Sequence, residues 1–398
     1  MRGCHAAGRS CAPPPVPRGG PVIVRTRRAT GADLALLGAA LLLTLLLLEH
    51  ARVPDILGLG TVLDCAAPWL GIGIPVLVLV AFACRSRIGA VAAVIPLLAW
   101  AYLFGSWWAG TGSNLAAADR LTVVTQNMYA GNDSPSAAVR SLAATGADLI
   151  ALQECSSGNR ESAAEILSST HPYHAAEGTV ALWSRYPLSG TGVADVGAGW
   201  RRGLRTHVDT PTGDLVVYVV HLPSIRLGDT ADRNRGLRTL SRELASDPAR
   251  RIVVLGDFNT TGTDRHWAGF APGYRDIRTS GAQFTWPAVL PVVGPDHILT
   301  RGLAPVSSAT IRTPGADHRG LVAVLAVPRS GQSGAQGGNA VDGGGECGSV
   351  ESAVGVGGGE GRGGVVALGG VARGAEDEVH ARGRRGNGAL AGGAEGVE

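Results

Sequence analysis

Polar side chains able to bind a cation or move a proton follow apolar segments at several points in the middle of the chain. The most specific case is RIVVLGDFN, where an apolar run that begins at Arg251 ends in Asp257 and Asn259. The same arrangement gives Gln126-Asn127, Gln153-Glu154, His221, Asp296-His297 and Asp317-His318. Any one of these groups is typical of an ordinary loop, but six of them in this order indicate a single composite site.

The chemistry of these side chains points to a hard divalent cation. Glu154 and Asp317 offer carboxylate oxygens of the kind that Mg²⁺ prefers, and this ion keeps several waters while it contacts a substrate phosphate. Phosphoryl transfer requires neutralisation of charge and an aligned water. A divalent cation at such residues, Mg²⁺ or Mn²⁺, would act as Lewis acid and template in phosphoryl transfer.

A short arginine cluster is a further candidate for substrate binding. Arg201, Arg202 and Arg205 lie in GWRRGLRTHV, and guanidinium groups form paired hydrogen bonds with phosphate oxygens. A solvated loop is an equally good interpretation of this stretch. The net charge is only +3, and no longer basic stripe with interleaved aromatic residues follows. Nucleic acid is therefore not the expected partner.

Strands alternating with helices must position these groups. LTVVTQN, DLIALQE, TVALWS, DLVVYVVHL and RIVVLGDFN predict strands because they are short, apolar and bounded by turn residues. One helix is predicted from a cap at Asp133 or Ser134 through Ala144, and an amphipathic helix begins at Asn234. About 200 residues of this kind are typical of one α/β domain.

Three apolar stretches precede that domain, at about 33–48, 66–84 and 88–108. Their lengths are close to the roughly 20 residues that cross a bilayer as a helix. Buried helices of a soluble core are the alternative, but three consecutive runs without a polar face argue against it. The predicted organisation is a disordered cytoplasmic segment (1–30), a three-helix membrane anchor (31–108), a catalytic domain (121–328) and a Gly-rich disordered tail (329–398). An over-extended reading frame is the alternative for the tail and for residues 1–20.

Arginine placement predicts the orientation of the anchor. Arg25, Arg27 and Arg28 precede the first stretch, and Arg85 and Arg87 lie between the second and third. Since positively charged loops stay in the cytoplasm, three spans carry everything after residue 108 to the other side. We therefore expect a multi-pass protein of the cell membrane with an extracytoplasmic catalytic domain.

In these residues the chain resembles the endonuclease/exonuclease/phosphatase superfamily, from Leu121 to about Val327. The resemblance implies a four-layer α/β/β/α sandwich and metal-dependent cleavage of phosphoester bonds. It implies Glu154 as the principal metal ligand with Asn127 beside it, Asp257 as the group that positions or deprotonates the attacking water, and Asn259 as a contact of a phosphoryl oxygen. It further implies Asp296 as the residue that orients His318 against the phosphate, and His221 as an aid to departure of the leaving group. The chain departs from the family at Gly294-Pro295-Asp296, where the family often has Arg-Ile-Asp.

A closer resemblance is to bacterial teicoplanin-resistance membrane proteins of the VanJ type. It rests on PWLGIGIPVL, GTVALWSRYPL, GWRRGLRTHVDTPTGDLVVYVVHLPS and FTWPAVLPV. This resemblance implies that the substrate is undecaprenyl pyrophosphate or a related lipid phosphate. A surface nuclease or a phospholipid phosphodiesterase would use the same residues, and a non-catalytic membrane protein would use the sandwich as a binding module. The complete set of site residues argues against the last of these.

Overall fold

The computed structural model describes residues 29–108, 119–225 and 229–327. The predictions for the N-terminal segment up to residue 28 and for the tail 329–398 lie outside these ranges. The helices are α1 (Gly31–Glu49), α2 (Leu59–Ala66), α3 (Gly73–Ala83), α4 (Arg87–Ala92), α5 (Val94–Phe104), α6 (Pro135–Ala143), α7 (Ser157–Leu167) and α8 (Ala231–Ser246). The strands are β1 (Asp119–Asn127), β2 (Leu149–Gln153), β3 (Tyr173–Glu177), β4 (Val180–Ser184), β5 (Leu188–Val193), β6 (Gly203–Thr210), β7 (Gly213–His221), β8 (Ile252–Asp257), β9 (Arg275–Asp276), β10 (Asp296–Arg301), β11 (Ala304–Ile311) and β12 (Gly320–Val327).

The N-terminal helices present an apolar surface to their surroundings. Three helical stretches, Gly31–Arg52, Ile56–Ala83 and Arg87–Trp107, are long and apolar enough to cross a membrane. Their outer side chains include Phe82 and Leu98, which are 84% and 65% exposed. Contiguous apolar surface of this extent is stable against lipid or a partner protein and unfavourable in water.

Two six-stranded sheets form the domain that follows. The strand order is β11-β12-β1-β2-β4-β3 in the first sheet and β5-β6-β7-β8-β10-β9 in the second. The pairs β1–β2 and β7–β8 are parallel, and the other pairs of named strands are antiparallel. Side chains alternate between the two faces of a strand, so each sheet has an inner and an outer apolar face.

The two inner faces pack on each other, and helices cover the outer faces. On β8, Val253 and Leu255 belong to the core between the sheets. Ile252 and Val254 face the other way and pack with Leu240 of α8. Helices α6 and α7 cover the first sheet in the same manner through a third apolar cluster. The predicted four-layer α/β/β/α sandwich is therefore confirmed.

The domain is joined to the helices by a buried ion pair. Asp64 of α2 has no exposed side-chain surface, and its Oδ2 accepts from Nε of Arg265 at 2.7 Å and from the Arg265 backbone N–H at 3.0 Å. Nδ1 of His50 lies 2.8 Å from the other carboxylate oxygen. A fully buried carboxylate is tolerated only when it is paired and hydrogen-bonded. The contact therefore fixes the end of the helices against the loop that follows β8.

Removing this arginine should destabilise the whole molecule. In Arg265→Ala, the Asp64 carboxylate stays buried without its charged partner, which costs roughly 3–5 kcal/mol in comparable pairs. We expect the thermal midpoint of the detergent-solubilised full-length protein to fall by several degrees. Arg235→Ala is the matched control, because the Arg235–Asp232 pair is exposed and such pairs contribute at most about 1 kcal/mol. Equal midpoints for the two variants would contradict this account of the junction.

Candidate active site

The pairing of strands brings three polar side chains into one row at the edge of the second sheet. His221 ends β7 and Asp257 ends β8, and the two are direct partners in the parallel ladder. Asp257 is also the direct antiparallel partner of Asp296, the first residue of β10. All three continue the inward-facing positions of their strands, where the apolar core ends. The row therefore opens toward the first sheet.

The first sheet contributes the opposite side of the site. Asn127 ends β1 beside Gln153 of β2, and Glu154 follows directly. Glu154 and Tyr129 have φ angles of 48° and 61°, in the left-handed region that non-glycine residues rarely adopt. Such strained positions persist where surrounding contacts hold them, and they occur often at functional sites. Here the Ala130 backbone N–H donates to Oε2 of Glu154 at 3.0 Å and fixes the carboxylate.

Asn127 connects the two sheets. Its Nδ2 donates to Oε1 of Glu154 at 3.1 Å and to Oδ2 of Asp257 at 3.0 Å. Its Oδ1 accepts from the Tyr129 backbone N–H at 3.0 Å, and an amide oxygen has a second lone pair available for a cation. One buried amide thus holds a carboxylate from each sheet in a common arrangement.

Asp257 lies at the centre of the cluster. Nε2 of His221 is 3.8 Å from its Oδ2, and Nε2 of His318 is 3.9 Å from the same oxygen. The Asn259 backbone N–H donates to its Oδ1 at 2.8 Å. Burial, together with the neighbouring Asp296 carboxylate, raises the pKa of Asp257 above its ordinary value. A carboxylate with a raised pKa is a stronger base, so Asp257 is suited to accept a proton from water.

His318 is a buried cation held by Asp296. Nδ1 of His318 donates to Oδ2 of Asp296 at 2.8 Å, and the Thr285 hydroxyl donates to the same oxygen at 2.5 Å. Burial alone would lower the pKa of His318, but the Asp296 and Asp257 carboxylates outweigh it and raise that pKa to about 10. His318 therefore carries a positive charge at neutral pH and can stabilise a phosphate.

His221 is in the opposite protonation state. Burial, reinforced by the nearby charges of Arg202 and His318, lowers the pKa of His221 to about 4. Nη2 of Arg202 lies 2.8 Å from Nδ1 and 2.7 Å from Nε2 of this ring. Nε2 also faces the Glu154 and Asp257 carboxylates, each at 3.8 Å. Two histidines in one site thus hold different charges.

The donor set fits a divalent cation. Among the described residues, ligand atoms of Asp257, Asp296 and His318 lie within 4.8 Å of one another. A protonated imidazole offers no lone pair to a metal, so His318 is excluded while it carries its charge. Glu154 and Asp317 remain as candidate ligands on the solvent-exposed side of the cluster. Burial, with Glu154 and Asp257 nearby, raises the pKa of Asp317. A hard cation held by Glu154, Asp317 and the Asn127 oxygen would relieve this repulsion.

Other predicted residues have more ordinary surroundings. Asn259 has a φ of 47°, and its Nδ2 donates to the Leu222 carbonyl at 2.9 Å, which leaves its second N–H for a ligand. His297, next to Asp296, hydrogen-bonds Asp276 at 2.9 Å and stacks on Trp267 with ring centroids 4.0 Å apart. Its contacts are those of a core residue.

The predicted arginine cluster is divided by the fold. From Gly203 onward the stretch forms strand β6, whereas a solvated loop was one of the two interpretations of the sequence. Arg205 pairs with Asp247 at 2.8 Å, and Arg201 is 69% exposed and pairs with Glu177 at 3.1 Å. Only Arg202 of the three contacts a site side chain. Substrate binding by Arg201, Arg202 and Arg205 stays a prediction, and the pairings show only that the three guanidinium groups do not lie together.

Thr285 belongs to the site and was not predicted from the sequence. Its hydroxyl shares the Asp296 oxygen with His318, but the residue lies in an irregular part of FTWPAVLPV, a stretch to which the sequence assigned no site role. Trp200 is a second such residue, because the Arg202 guanidinium lies 4.6 Å above its ring. No local sequence signal marks either contact.

Comparison with known proteins agrees with this geometry. Residues 124–318 match the model of the Endonuclease/Exonuclease/phosphatase family. The domain therefore belongs to this family of hydrolases, whose members are metal-dependent phosphoesterases. No curated protein matches the chain, so the closer resemblance to teicoplanin-resistance proteins stays a prediction.

Several solved structures are similar to the domain at low identity. A humanized TDP2 from D. rerio is 18% identical with a TM-score of 0.46, over 52% of this chain and 98% of that one. An endonuclease/exonuclease/phosphatase from Beutenbergia cavernae is 19% identical with a TM-score of 0.43, over 52% and 72%. Beta toxin from Staphylococcus aureus is 15% identical with a TM-score of 0.43, over 51% and 99%. Likenesses at these TM-scores add nothing to the family assignment.

The charge of His318 should depend on Asp296. In chelator-treated protein, we expect Asp296→Asn to lower the pKa of His318 by more than one unit, measured by NMR titration of the imidazole. Because the folded pKa is above the unfolded value of about 6.5, the stabilisation is full below that pH and is lost as pH rises through about 10. The stability deficit of Asp296→Asn should therefore shrink toward pH 10. Thr285→Val is the control, since it removes a hydrogen bond and no charge, and a shift as large as that of Asp296→Asn would contradict the assignment.

Proposed function

We propose that this protein is a membrane-anchored, Mg²⁺-dependent phosphatase that hydrolyses a polyprenyl pyrophosphate such as undecaprenyl pyrophosphate at the outer face of the cell membrane. The observation that carries the proposal is the segment 284–293, which connects the catalytic cluster with the apolar helices. This segment contains FTWPAVLPV, one of the stretches on which the resemblance to teicoplanin-resistance proteins rests.

The segment has an exposed apolar tip beside the catalytic residues. Val289 and Leu290 are 77% and 71% exposed, and the neighbouring Trp286 is 44% exposed. At its base the Ala288 backbone N–H donates to the Asp317 carbonyl at 2.7 Å. At its far end the Val292 carbonyl accepts from Nε1 of Trp69 at 2.7 Å. Exposed apolar tips and interfacial tryptophans favour a membrane surface, which supports a substrate held in lipid.

The site chemistry supports hydrolysis of a phosphoanhydride. Asp257 accepts a proton as the water oxygen bonds to the terminal phosphorus, and the bond from that phosphorus to the bridging oxygen breaks. Inorganic phosphate and the lipid monophosphate are the products. The His318 cation and the Arg202 guanidinium stabilise negative charge on the phosphoryl oxygens. Neutral His221 assists the departure of the leaving group. A divalent cation at Glu154 and Asp317 supplies Lewis-acid activation when bound.

A surface nuclease or a phospholipid phosphodiesterase would use the same catalytic groups. Extended nucleic acid needs a track of cationic side chains along its backbone. Here Arg201 and Arg205 are neutralised by Glu177 and Asp247, so Arg202 alone of the predicted cluster is available in the site. These pairings favour a compact phosphate headgroup over a polynucleotide.

Substrate preference is the direct test of the proposed function. Purified full-length protein in detergent with Mg²⁺ should release phosphate from undecaprenyl pyrophosphate at a rate at least a hundredfold above that at which it cleaves plasmid DNA or sphingomyelin. Asp257→Ala and His318→Ala should each reduce phosphate release at least a hundredfold, because they remove the base and the charge that faces the phosphate. Efficient cleavage of DNA or sphingomyelin with no release from the prenyl substrate would refute the substrate and leave the family assignment intact.

The Mg²⁺ requirement of the activity should depend on Glu154. Glu154→Gln keeps the shape of the side chain and removes its charge, so the Mg²⁺ concentration for half-maximal activity should rise at least tenfold. Excess Mg²⁺ should restore part of the rate. Glu177→Gln is the matched control, because Glu177 pairs with an exposed arginine outside the cluster and its loss should leave the Mg²⁺ requirement unchanged. Full wild-type activity after thorough chelation would exclude the metal mechanism.

A further inference from the structure

An apolar groove lies between the second and third membrane-length helical stretches, at the end that contacts the domain. Its volume is about 410 Å³, within the range of roughly 300–1,000 Å³ that ligand pockets occupy. Trp69 and Pro75 line one side, Leu97 and Trp100 line the other, and Phe284 of the domain closes one end. The groove is therefore formed jointly by the helices and by the segment 284–293 of the domain.

The walls of the groove are mainly hydrocarbon and aromatic rings, and two of their indole N–H groups donate to backbone carbonyls. Nε1 of Trp100 donates to the Pro68 carbonyl at 2.9 Å, and Nε1 of Trp69 is occupied by the domain. Gly71 allows the close approach of Trp100, because a Cβ atom there would lie only 2.4 Å from the indole nitrogen. A lining that consists almost entirely of hydrocarbon and aromatic side chains favours an apolar occupant.

The mouth of the groove faces the surroundings of the helices. Ile72 and Trp108 line it and are each 58% exposed. In a bilayer these surroundings are hydrocarbon, since the helices that form the walls are themselves of membrane-spanning length. A lipid chain can therefore enter sideways without crossing water.

The closed end of the groove lies next to the catalytic cluster. Phe284 is followed by Thr285, whose hydroxyl is 2.5 Å from the Asp296 oxygen that holds His318. With consecutive Cα atoms about 3.8 Å apart, the backbone of the groove wall lies within about 10 Å of that carboxylate. A chain in the groove would thus have its phosphate end near His318.

We propose that this groove binds the proximal part of the hydrocarbon chain of the lipid phosphate substrate. The inference rests on the proposed function and adds to it the site that selects membrane lipids over soluble phosphates. Binding energy from the chain, which is remote from the reacting phosphorus, positions the headgroup against the catalytic residues. A helix of a second copy or of another protein is the competing occupant, and it would not distinguish substrates by chain length.

Two neighbouring leucines on α5 allow a matched experiment. Leu97 lines the groove, whereas Leu98 faces away from it and is 65% exposed. Leu97→Trp should fill the groove and raise KM for undecaprenyl pyrophosphate at least fivefold, with kcat/KM for the short soluble isopentenyl pyrophosphate unchanged. Leu98→Trp should change neither value. Equal effects of Leu97→Trp on both substrates, or equal effects of the two variants, would overturn the proposal.

A binding measurement separates this inference from the proposed function. Brominated dodecyl phosphate lacks an anhydride, and its bromine should quench the tryptophans that line the groove whether or not the protein hydrolyses pyrophosphates. Ala282→Phe fills the groove from the domain side without adding a tryptophan, so it should abolish most of the quenching. Quenching that is absent in the wild type or retained in Ala282→Phe would refute the groove. Wild-type protein that hydrolyses neither pyrophosphate but shows groove-dependent quenching would refute only the proposed function.

Discussion

Close packing of the two inner sheet faces is the constraint on which the rest of the structure depends. Val253, Leu255 and Val217 are fully buried between the sheets, and each such side chain contributes about 1.5–3 kcal/mol through removal from water. Polar groups are therefore excluded from the middle of the sandwich and accepted only at its rim. Because side chains alternate along a strand, the same inward positions that are apolar in the core become Asp257 and His221 at one end. The catalytic row is a continuation of the core pattern.

The balance of positive and negative charge determines which ionised side chains can be buried at this rim. Four carboxylates surround a small volume, and burial raises the pKa of Asp257 and Asp317. The His318 cation offsets part of the repulsion, and its own charge depends on Asp296. Because these charged groups are so close, the free energy of burying each one depends on the charges of its neighbours. A divalent cation held by these carboxylates would offset the remaining repulsion.

The contact between helices and domain gives the site a fixed position relative to the apolar helices. A buried ion pair between Asp64 and Arg265 anchors one loop, and the Trp69–Val292 hydrogen bond anchors another. Both loops follow or precede catalytic residues closely in the chain. Movement of the domain would therefore have to break a buried ion pair, and such breaks are costly.

Much of the strand framework was predictable from the sequence, because buried strands are continuous apolar runs that end at polar residues. RIVVLGDFN predicts strand β8 and its terminal Asp257, and three apolar stretches predict the helices. Strand β6 was not predicted, because its arginines interrupt the apolar pattern and the stretch was interpreted only as a phosphate contact or a solvated loop.

The sequence by itself determines which segments are apolar and which polar residues follow them, since both can be identified along the chain without knowledge of distant contacts. Only the tertiary structure decided that Arg202 enters the site while Arg205 pairs with Asp247, because alternation along a strand assigns faces only once the strand is paired. Thr285 and the groove depend on contacts between segments far apart in the chain, such as Trp69 with Val292. Contacts of that kind are fixed by packing of the whole molecule, for which no short stretch of sequence carries a signal.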